Sequence, residues 1–317
     1  MSNDSPPDSA AADPVGHAVD VLRHGGLVGM PTETVYGLAA DASDEAAVRR
    51  VFTVKGRPAD HPLIVHLAAS EAMPAWTSSI PPAVAVLADA CWPGPLTVLV
   101  PRGDHVLDIV TGGRPTVGLR VPAHPMALDL LRRFGGGLAA PSANRFGHVS
   151  PTTAAHVRAD FGPEVDFVLD GGACPVGVES TIVDCTVDPP QILRPGAIDE
   201  EQVARLLEGI GGVASASGPS RASGMLSSHY APDATVELFE TLATATARAE
   251  SLTAHGMRVD VLDATGDLVV AAQQLYAWLR AADDRGIDVV CAVIPPPIGL
   301  GHAIRDRLQK AAALGPA

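Results

Sequence analysis

The sequence predicts an α/β protein with two domains, a larger amino-terminal domain and a small Rossmann-like domain at the carboxyl end. Three observations support this prediction. A length of 317 residues is typical of two domains. Short apolar runs alternate with helical patterns along the chain, as in sheets covered by helices. A stretch of small residues at 211–224 interrupts this alternation, which then starts again.

The first 210 residues alternate between strands and helices, and turn or cap residues set the boundaries. Gly25-Gly26 ends the first helix, Pro31 ends the first strand, and Asp44 caps the second helix. The alternation at 116–121 predicts that Thr116 and Arg120 share one face of a strand. The predicted helices cover 15–24, 46–52, 82–90, 126–133, 152–160 and 199–208, and the predicted strands cover 27–30, 63–67, 96–100, 116–121, 167–169, 181–184 and 192–194.

After the linker, the pattern predicts one compact βαβαβα unit. Strands joined through helices pair in parallel, so we expect a mainly parallel sheet here. Its strands cover 236–239, 258–262 and 288–294, and its helices cover 241–254, 268–281 and 301–313. The chain is thus divided into a disordered tail at 1–12, a first domain at 13–210, a linker at 211–234 and a second domain at 235–317.

The charge distribution argues against broad binding to nucleic acid. The net charge of the chain is −14. Residues 1–210 hold 14 Lys+Arg against 25 Asp+Glu, a net charge of −11, and the remainder holds 8 against 11, or −3. Binding along a phosphate backbone is driven by many Lys and Arg contacts, which an acidic domain does not favour. One local basic pocket is still compatible with this charge.

Cysteine spacing and hydropathy predict a soluble, cytoplasmic protein. Cys91, Cys174, Cys185 and Cys291 form neither a Cys-x-x-Cys motif nor a zinc-type cluster, so we expect reduced and mostly buried thiols. The first dozen residues lack the basic start and apolar core of a signal peptide. No apolar run reaches the ~18 residues of a membrane span.

Two neighbouring cations give the first indication of a functional site. The chain has two lysines, Lys55 and Lys310, and the first of them lies in the run Lys55-Gly56-Arg57-Pro58. Lysine acts as a compact point charge and arginine as a bidentate fork, and phosphates use both. The run therefore indicates an anion site, with solvated surface charge as the alternative.

Further polar residues lie at strand ends and in loops rich in proline and glycine, where α/β folds build ligand sites. Hydroxyls, an amide and several cations meeting there would suit a nucleotide phosphate and a small polar acid, although Arg120 or Arg194 could equally be surface arginines. Neither a P-loop motif nor a Gly-x-Gly-x-x-Gly fingerprint is present. The set comprises Thr32, Thr34, Lys55, Arg57, His61, His66, Thr116, Arg120, Ser142, Asn144, Ser150, Ser180, Thr181 and Arg194.

Seven motifs in a fixed order resemble the YrdC-like threonylcarbamoyl-adenylate synthases. They lie at 31–38, 55–58 with Pro62-Leu63, 92–97, 120–122, 140–144, 177–182 and 193–196. The match covers roughly residues 15–205. The strings Ser223-Gly224-Met225 and His229-Tyr230-Ala231-Pro232 resemble the linker of the longer, two-domain form, and residues 233–317 look like its additional domain.

The resemblance implies a twisted mixed sheet around an open concave site in the first domain. It also implies a nucleotidyltransferase that converts L-threonine, bicarbonate or CO2 and ATP into L-threonylcarbamoyl-adenylate and pyrophosphate. A separate transferase complex would then modify the adenosine next to the anticodon of tRNA. ATP would be a substrate with Mg2+ on its phosphates, and no protein metal site, membrane contact or stable binding to nucleic acid is expected.

By motif position, the resemblance implies two sets of binding residues. Lys55 and Arg57 would be the catalytic cations, and Arg120 would pair with the threonine carboxylate, a bidentate role that lysine fills poorly. His61 stands where some relatives have asparagine. The ATP set is Lys55, Arg57, His61, Thr116, Ser142, Asn144, Ser150, Arg194 and Tyr230, and the threonine set is Thr34, His66, Arg120, Ala140 (through its backbone) and Ser180.

Three residues within the motifs have two candidate roles each. Tyr230 is predicted to belong to a lid that covers ATP and excludes water, and the alternative is a packing anchor. Glu33 and Glu179 either contact Mg2+ or hold loops in place.

Two other functions fit part of the pattern. Small relatives of the first domain favour a non-catalytic RNA-binding module, but the charge of −11 argues against it. A carbamoyl-adenylate former in metal-cofactor maturation would carry zinc-finger cysteines and an acylphosphatase module, and neither is visible in the sequence.

Overall fold

The computed structural model describes residues 13–215, 221–222 and 230–313. The predicted tail at 1–12 lies outside these ranges, as do 216–220 and 223–229 of the predicted linker. The described residues form one sheet of ten strands and one of three.

The ten-stranded sheet is mixed and has the order β10-β9-β8-β4-β5-β3-β6-β2-β1-β7. Strand β4 pairs in parallel with β8 and antiparallel with β5, which confirms the predicted mixed sheet. The strands are β1 (Val28–Met30), β2 (Gly37–Asp41), β3 (Ile64–His66), β4 (Leu96–Pro101), β5 (Thr116–Arg120), β6 (Leu138–Ala139), β7 (Phe167–Val168), β8 (Thr181–Asp184), β9 (Gln191–Arg194) and β10 (Ala214–Ser215). The helices are α1 (Pro14–Arg23), α2 (Glu45–Lys55), α3 (Pro82–Cys91), α4 (Asp108–Thr111), α5 (Pro125–Phe134), α6 (Ala154–Phe161) and α7 (Glu200–Leu207).

Strand β2 is the clearest difference from the sequence prediction for this domain. Its residues are Gly-Leu-Ala-Ala-Asp, and four of the five are buried. Glycine, alanine and aspartate are poor strand formers, and continuous burial removes the alternation that marks a half-exposed strand. The strand is stabilised by antiparallel pairing on both sides. Its Ala39 lies opposite Val28 of β1, and its Ala40 lies opposite Ala139 of β6. Tertiary pairing thus overrides local propensity.

The three-stranded sheet confirms the predicted parallel βαβαβα unit. Its strands pair in parallel in the order β11-β13-β12. The elements are β11 (Thr235–Phe239), α8 (Leu242–Ala254), β12 (Val259–Asp263), α9 (Leu268–Asp284), β13 (Val289–Val293) and α10 (Leu300–Ala312). The central strand β13 reads Val-Val-Cys-Ala-Val and is buried throughout, as expected for a parallel strand covered on both faces.

The carboxyl-terminal unit packs directly against loops of the larger sheet. Val149 and Val178 from these loops share one apolar cluster with Leu275 and Tyr276 of α9. The fit is tight at Gly177, where an added Cβ would lie 2.3 Å from the Ala272 carbonyl oxygen. The domain boundaries proposed from the sequence stay a prediction.

The close approach at Gly177 gives a test of this packing. Gly177 (φ +83°) and Gly172 (φ +80°) both have left-handed backbones, but a Cβ at Gly172 meets no atom within 4 Å. Either alanine variant loses about 1–2 kcal/mol from backbone strain. Gly177→Ala should lose about 1–3 kcal/mol more, because it overpacks against the backbone of α9. Urea unfolding of the two variants measures the difference, and equal losses would contradict the packing described here.

Candidate active site

Four strands bring polar side chains to one edge of the large sheet. Strands β3 and β5 run in parallel, and their last residues, His66 and Arg120, lie opposite each other in the register. Strand β8 runs antiparallel to β9, so Ser180, immediately before β8, lies near Arg194 at the end of β9. These four residues line one cavity of about 50 Å³, which has room for a few water-sized groups.

The cavity brings together much of the predicted site. All five residues of the threonine set line it, namely Thr34, His66, Arg120, Ala140 and Ser180. Four residues of the ATP set line it as well, namely Arg57, Ser142, Arg194 and Tyr230. The other predicted ATP contacts, Lys55, His61, Thr116, Asn144 and Ser150, are not among its lining residues.

Arg120 is held rigidly in the cavity wall. Its Nη2 donates to Glu33 Oε1 at 2.7 Å and its Nε donates to the Gly94 carbonyl at 3.3 Å. The second carboxylate oxygen of Glu33 accepts from the backbone N–H of Ala123 at 3.0 Å. Of the two roles weighed for Glu33, these contacts favour holding a loop and orienting Arg120.

His66 presents a neutral imidazole to the cavity. Its side chain is buried, and its Nδ1 has no hydrogen-bond partner among the described residues. Burial and the nearby Arg120 guanidinium lower the pKa of His66 to about 3, because both disfavour the charged ring. A buried polar atom without a partner at a cavity wall is suited to a substrate hydrogen bond.

Thr34 is fixed by a short hydroxyl network within the loop between β1 and β2. Its Oγ1 lies 2.9 Å from Thr32 Oγ1, and the Thr32 hydroxyl donates to the Val35 carbonyl at 2.6 Å. The backbone N–H groups of Thr34 and Val35 donate back to the same Thr32 oxygen. The loop therefore holds Thr34 at the cavity without a regular element.

Arg194 is anchored on the neighbouring strand through Ser180. Its Nε and Nη2 donate to the Ser180 carbonyl at 3.1 and 2.9 Å, and Nη2 also donates to Ser180 Oγ at 3.0 Å. The Ser180 hydroxyl lies 2.8 Å from Thr97 Oγ1. One guanidinium and one hydroxyl are thus held side by side in the cavity wall.

Arg57 lies beside the aromatic ring of Phe146. Its guanidinium carbon is 5.9 Å from the centroid of the Phe146 ring, and its Nη2 donates to the Pro62 carbonyl at 3.1 Å. The ring of His61 lies 5.5 Å from that of Phe146. Burial lowers the pKa of Arg57 to about 10, so the side chain remains cationic at neutral pH.

Lys55 contacts backbone carbonyls rather than the cavity. Its Nζ donates to the carbonyls of Ser142 and Asn144, both at 2.6 Å. Burial, followed by the neighbouring Arg57, lowers the pKa of Lys55 well below its usual value. Asn144 is equally engaged, because its Nδ2 donates to the Arg145 and His148 carbonyls. Contact of Lys55 with a phosphate stays a prediction, and in this structure the lysine holds the 142–144 loop.

Thr116 and Gly118 line a second, smaller cavity of about 10 Å³. Ile64 lines both this cavity and the main one, and Arg120 lines the main one. Thr116 and Arg120, which are predicted to share one face of β5, therefore line two adjoining cavities.

Glu179 connects this site to the carboxyl-terminal unit. Its Oε1 accepts from the Ser150 hydroxyl at 2.6 Å, and its Oε2 accepts from Tyr276 Oη at 2.8 Å and from Arg307 Nε at 2.7 Å. Burial alone would raise the pKa of Glu179, but Arg307, Arg194 and the Ser150 hydrogen bond lower it to about 2. Of the two roles weighed for Glu179, these contacts favour holding loops in place.

Tyr276 and Arg307 hold Glu179 in place, and the sequence did not predict this role for either of them. Both lie on helices of the second domain, more than ninety positions from Glu179 along the chain. Arg307 follows Arg305 and Asp306 in an ordinary charged helix, so its sequence context carries no signal.

Tyr230 closes one side of the cavity with an uncommon backbone conformation. Its φ of +65° lies in the left-handed region, which non-glycine residues adopt rarely. The side chain is 2% exposed and stacks on Tyr276 at 5.9 Å between centroids. The guanidinium carbon of Arg307 lies 5.1 Å from the centroid of the Tyr230 ring. Burial and the nearby Glu179 raise the pKa of Tyr230 to about 12.

The charges of the cavity favour anionic ligands. Three guanidinium groups, those of Arg57, Arg120 and Arg194, line it together with a single carboxylate, that of Glu179. Across the described ranges, no group of three or more His, Cys, Asp or Glu side chains is placed to hold a metal ion. The four cysteines are free and buried, as predicted. In the part of the chain that the structure describes, no helix is both long and apolar enough to span a bilayer.

Comparison with known proteins places the fold in one class, the Sua5/YciO/YrdC domain. The profile of this domain, described as "Telomere recombination", matches residues 20–196. A second profile, described as "Threonylcarbamoyl-AMP synthase, C-terminal domain", matches residues 198–313. The fold is shared with Escherichia coli YciO, at a TM-score of 0.53 and 21% identity over 63% of this chain and 95% of that one.

The chain belongs to the threonylcarbamoyl-AMP synthase family, in its two-domain form. The threonylcarbamoyl-AMP synthase of Pyrococcus abyssi is 41% identical, over 93% of this chain and 92% of its own length. That of Bacillus subtilis is 37% identical, over 94% and 92%. The crystal structure of P. abyssi Sua5 complexed with L-threonine has a TM-score of 0.90 and 38% identity, covering 94% of both chains. The resemblance stated from the sequence motifs is confirmed.

The lowered pKa of His66 predicts how stability depends on pH. The unfolded chain protonates His66 near pH 6.5, whereas the folded chain does so only near pH 3. As pH falls through this window the unfolded state binds more protons, so the free energy of unfolding decreases by up to about 1.4 kcal/mol per pH unit. In His66→Gln this contribution is absent, and the loss of stability between about pH 6.5 and about pH 4.5 should be smaller.

Urea unfolding at several pH values measures this difference. His105→Gln, at an exposed histidine, is the matched control and should retain the wild-type pH dependence. The interpretation would be wrong if His66→Gln lost stability with pH as steeply as the wild type.

Proposed function

We propose that this chain forms L-threonylcarbamoyl-adenylate from L-threonine, bicarbonate or CO2 and ATP, with release of pyrophosphate. The observation that carries the proposal is one cavity in which three buried guanidinium groups meet the hydroxyl of Ser180 and the imidazole of His66, whose Nδ1 has no partner among the described residues. Its size suits a small polar acid, and its charge suits an acid beside phosphates.

L-threonine fits the half of the cavity built by β3, β5 and the loop after β6. The rigid fork of Arg120 suits a carboxylate. The neutral His66 imidazole and the Thr34 and Ser180 hydroxyls suit the amine and hydroxyl of the amino acid. The relative whose structure was solved with L-threonine matches this chain over both domains, which supports the assignment.

ATP fits the half built by Arg57, Ser142, Arg194 and Tyr230. A cavity of about 50 Å³ is too small for a whole nucleotide, so ATP would extend outward past Arg57 and Phe146. The smaller cavity at Thr116 lies on the same strand face and would be the adjoining contact. The contacts assigned to Lys55, His61, Asn144 and Ser150 remain part of this proposal.

Mg2+ would be carried on the ATP phosphates. The two acidic residues of the site, Glu33 and Glu179, already accept hydrogen bonds on both carboxylate oxygens. The described residues offer no cluster of metal ligands, so the phosphates themselves would supply the coordination.

The chemistry requires alignment more than a protein nucleophile. The amine nitrogen of threonine bonds to the carbon of CO2 with loss of a proton, or to that of bicarbonate with loss of water, and forms a carbamate. A carbamate oxygen then attacks the α-phosphorus while the bond to pyrophosphate breaks. Fixed guanidinium groups stabilise the charge that develops on the phosphate and hold the two substrates together. The packed ring of Tyr230 would keep water from the labile carbamate.

The product would be consumed by a separate threonylcarbamoyl transferase complex acting on tRNA. This role predicts a cytoplasmic enzyme without stable binding to nucleic acid of its own. The acidic first domain supports that view over a non-catalytic RNA-binding module.

The activity is tested by mass spectrometry after a short incubation with ATP, Mg2+, L-threonine and bicarbonate. We expect a threonylcarbamoyl-adenylate signal that disappears when any substrate is omitted. Arg57→Ala should reduce its rate of formation by about 100-fold or more, because a cation at the phosphates is lost. No product from the wild-type chain, with ATP still bound, would contradict the proposed reaction.

Arg120→Lys tests the threonine assignment. Lysine keeps the positive charge but cannot form two parallel hydrogen bonds, so the KM for threonine should rise by about 10- to 100-fold. The KM for ATP should change far less. Steady-state kinetics with each substrate varied in turn provides both constants, and Arg132→Lys, at an exposed arginine, is the control. A larger effect on ATP than on threonine would reverse the assignment.

Tyr230→Ala tests the lid assignment. Without the ring, water reaches the intermediate, and we expect more AMP formed per molecule of product while the fold stays intact. Tyr230→Phe keeps the ring against Tyr276 and Arg307 and should behave nearly like the wild type. Chromatography measures the amounts of AMP and product. An unchanged ratio of AMP to product in Tyr230→Ala would count against a lid.

A further inference from the structure

The second domain acts on the site without lining it. Within residues 235–313, which the structure describes in full, no side chain belongs to the wall of the main cavity. The same domain nevertheless contacts Glu179, Pro195 and Tyr230, each of which lies in or beside that wall. Arg307 makes all three contacts, and Tyr276 shares those with Glu179 and Tyr230.

We propose that Arg307 is a positioning residue for the nucleotide half of the active site, acting through Glu179 and Pro195. The inference rests on the proposed assignment of ATP to Arg194 and Ser150. It gives the second domain a specific part in the reaction beyond packing.

The contacts of Arg307 connect two segments of the first domain. Its Nε donates to Glu179 Oε2 at 2.7 Å and its Nη1 donates to the Pro195 carbonyl at 3.1 Å. These segments also pack tightly against each other, since an added Cβ at Gly196 would lie 2.3 Å from the Thr181 backbone nitrogen. Arg307 therefore holds both the start of β8, next to Glu179, and the end of β9, next to Pro195.

Each segment leads to a proposed ATP contact. Through Glu179, Arg307 reaches the Ser150 hydroxyl, which donates to the other carboxylate oxygen at 2.6 Å. Through Pro195, it reaches the backbone of Arg194 in the preceding position. Among the threonine contacts, Thr34 and Arg120 have supports of their own. The Ser180 hydroxyl, which Arg194 also contacts, is held independently by Thr97. The influence of Arg307 is therefore directed mainly to the nucleotide half of the site.

Arg307 also neutralises the charge of Glu179. Glu179 is buried, and a buried carboxylate has to be paired. Arg307 forms its ion pair, while Arg194 is the next cation that acts on it. Without Arg307, the carboxylate would be drawn towards Arg194 and would compete with the Ser180 contacts that orient that guanidinium.

Arg307 also carries a feature that a purely structural arginine would avoid. The side chain is fully buried, and its Nη2 has no hydrogen-bond partner among the described residues. Unsatisfied buried donors are uncommon in folded proteins and call for a functional explanation. Nε and Nη1 are engaged by Glu179, Pro195 and Asp306, which leaves Nη2 as the unpaired nitrogen.

Arg280 provides a matched control within the same interface. It is likewise an arginine of the second domain, and its Nη2 pairs with Asp160 of the first domain at 2.7 Å. It contacts neither Glu179 nor Pro195, and it reaches the Ser150 segment only through the backbone carbonyls of Val149 and Ser150. Arg280→Gln therefore weakens domain packing without removing the ion pair of Glu179.

The experiment compares wild type, Arg307→Gln, Arg307→Lys and Arg280→Gln in the full chain. Steady-state kinetics provides kcat and the KM for ATP, and calorimetric titration provides the Kd for L-threonine without ATP. We expect Arg307→Gln to lower kcat/KM for ATP by about 10- to 100-fold, as for a misplaced catalytic contact, with the threonine Kd within about twofold. Arg307→Lys should be intermediate, and Arg280→Gln should lose clearly less than Arg307→Gln, because the ion pair of Glu179 is kept.

Two results would overturn the inference. One is a wild-type kcat/KM for ATP in Arg307→Gln, and the other is an equal loss in Arg307→Gln and Arg280→Gln, which would mean that domain packing alone matters. If Arg307→Gln does not fold, Arg307→Lys decides, because it keeps a buried cation: unchanged ATP kinetics refutes the inference, and a loss with intact threonine binding supports it. Absence of product from the wild type refutes the proposed function instead, which separates the two failures.

Discussion

The buried carboxylate of Glu179 is the contact on which the arrangement of the molecule depends. It accepts hydrogen bonds from Ser150 in the first domain and from Tyr276 and Arg307 in the second. Removing one partner from a buried ion pair costs about 3–5 kcal/mol, because an uncompensated charge remains in the interior. Separation of the domains would leave Glu179 in that state. Domain docking and the shape of the active site are therefore stabilised by the same interaction.

The three guanidinium groups of the cavity are held by fixed acceptors before any substrate binds. Arg194 is bound to the Ser180 carbonyl, Arg57 to the Pro62 carbonyl and Arg120 to Glu33. Like charges gathered in one cavity repel one another, so the surrounding fold has to hold them in position. An anionic substrate relieves that repulsion, and the donors need little reorganisation when charge develops in the reaction. In the proposed reaction, preorganisation rather than a reactive side chain would therefore supply the catalysis.

The sequence was most informative where local patterns decide structure. Polar residues after apolar runs predicted the edge of the sheet at which His66, Arg120 and Arg194 meet, because strand direction brings such ends together. Strand β2 was not predicted, since its glycine and alanines pair only through β1 and β6. The partners of Lys55 depend on where the 142–144 loop packs, and no local pattern encodes this. Arg307 escaped notice because its role exists only after the two domains dock.

A small second domain without cavity-lining residues is best understood through the instability of the proposed intermediate. A carbamate must be kept from water until its oxygen reaches the α-phosphate, so the wall that excludes water has to be rigid as well as closed. Tyr230 forms that wall in a left-handed conformation that its own backbone does not favour. Tyr276 and Arg307, neither of which lines the cavity, pack against its ring. The second domain thus stabilises a wall residue whose own backbone conformation is unfavourable.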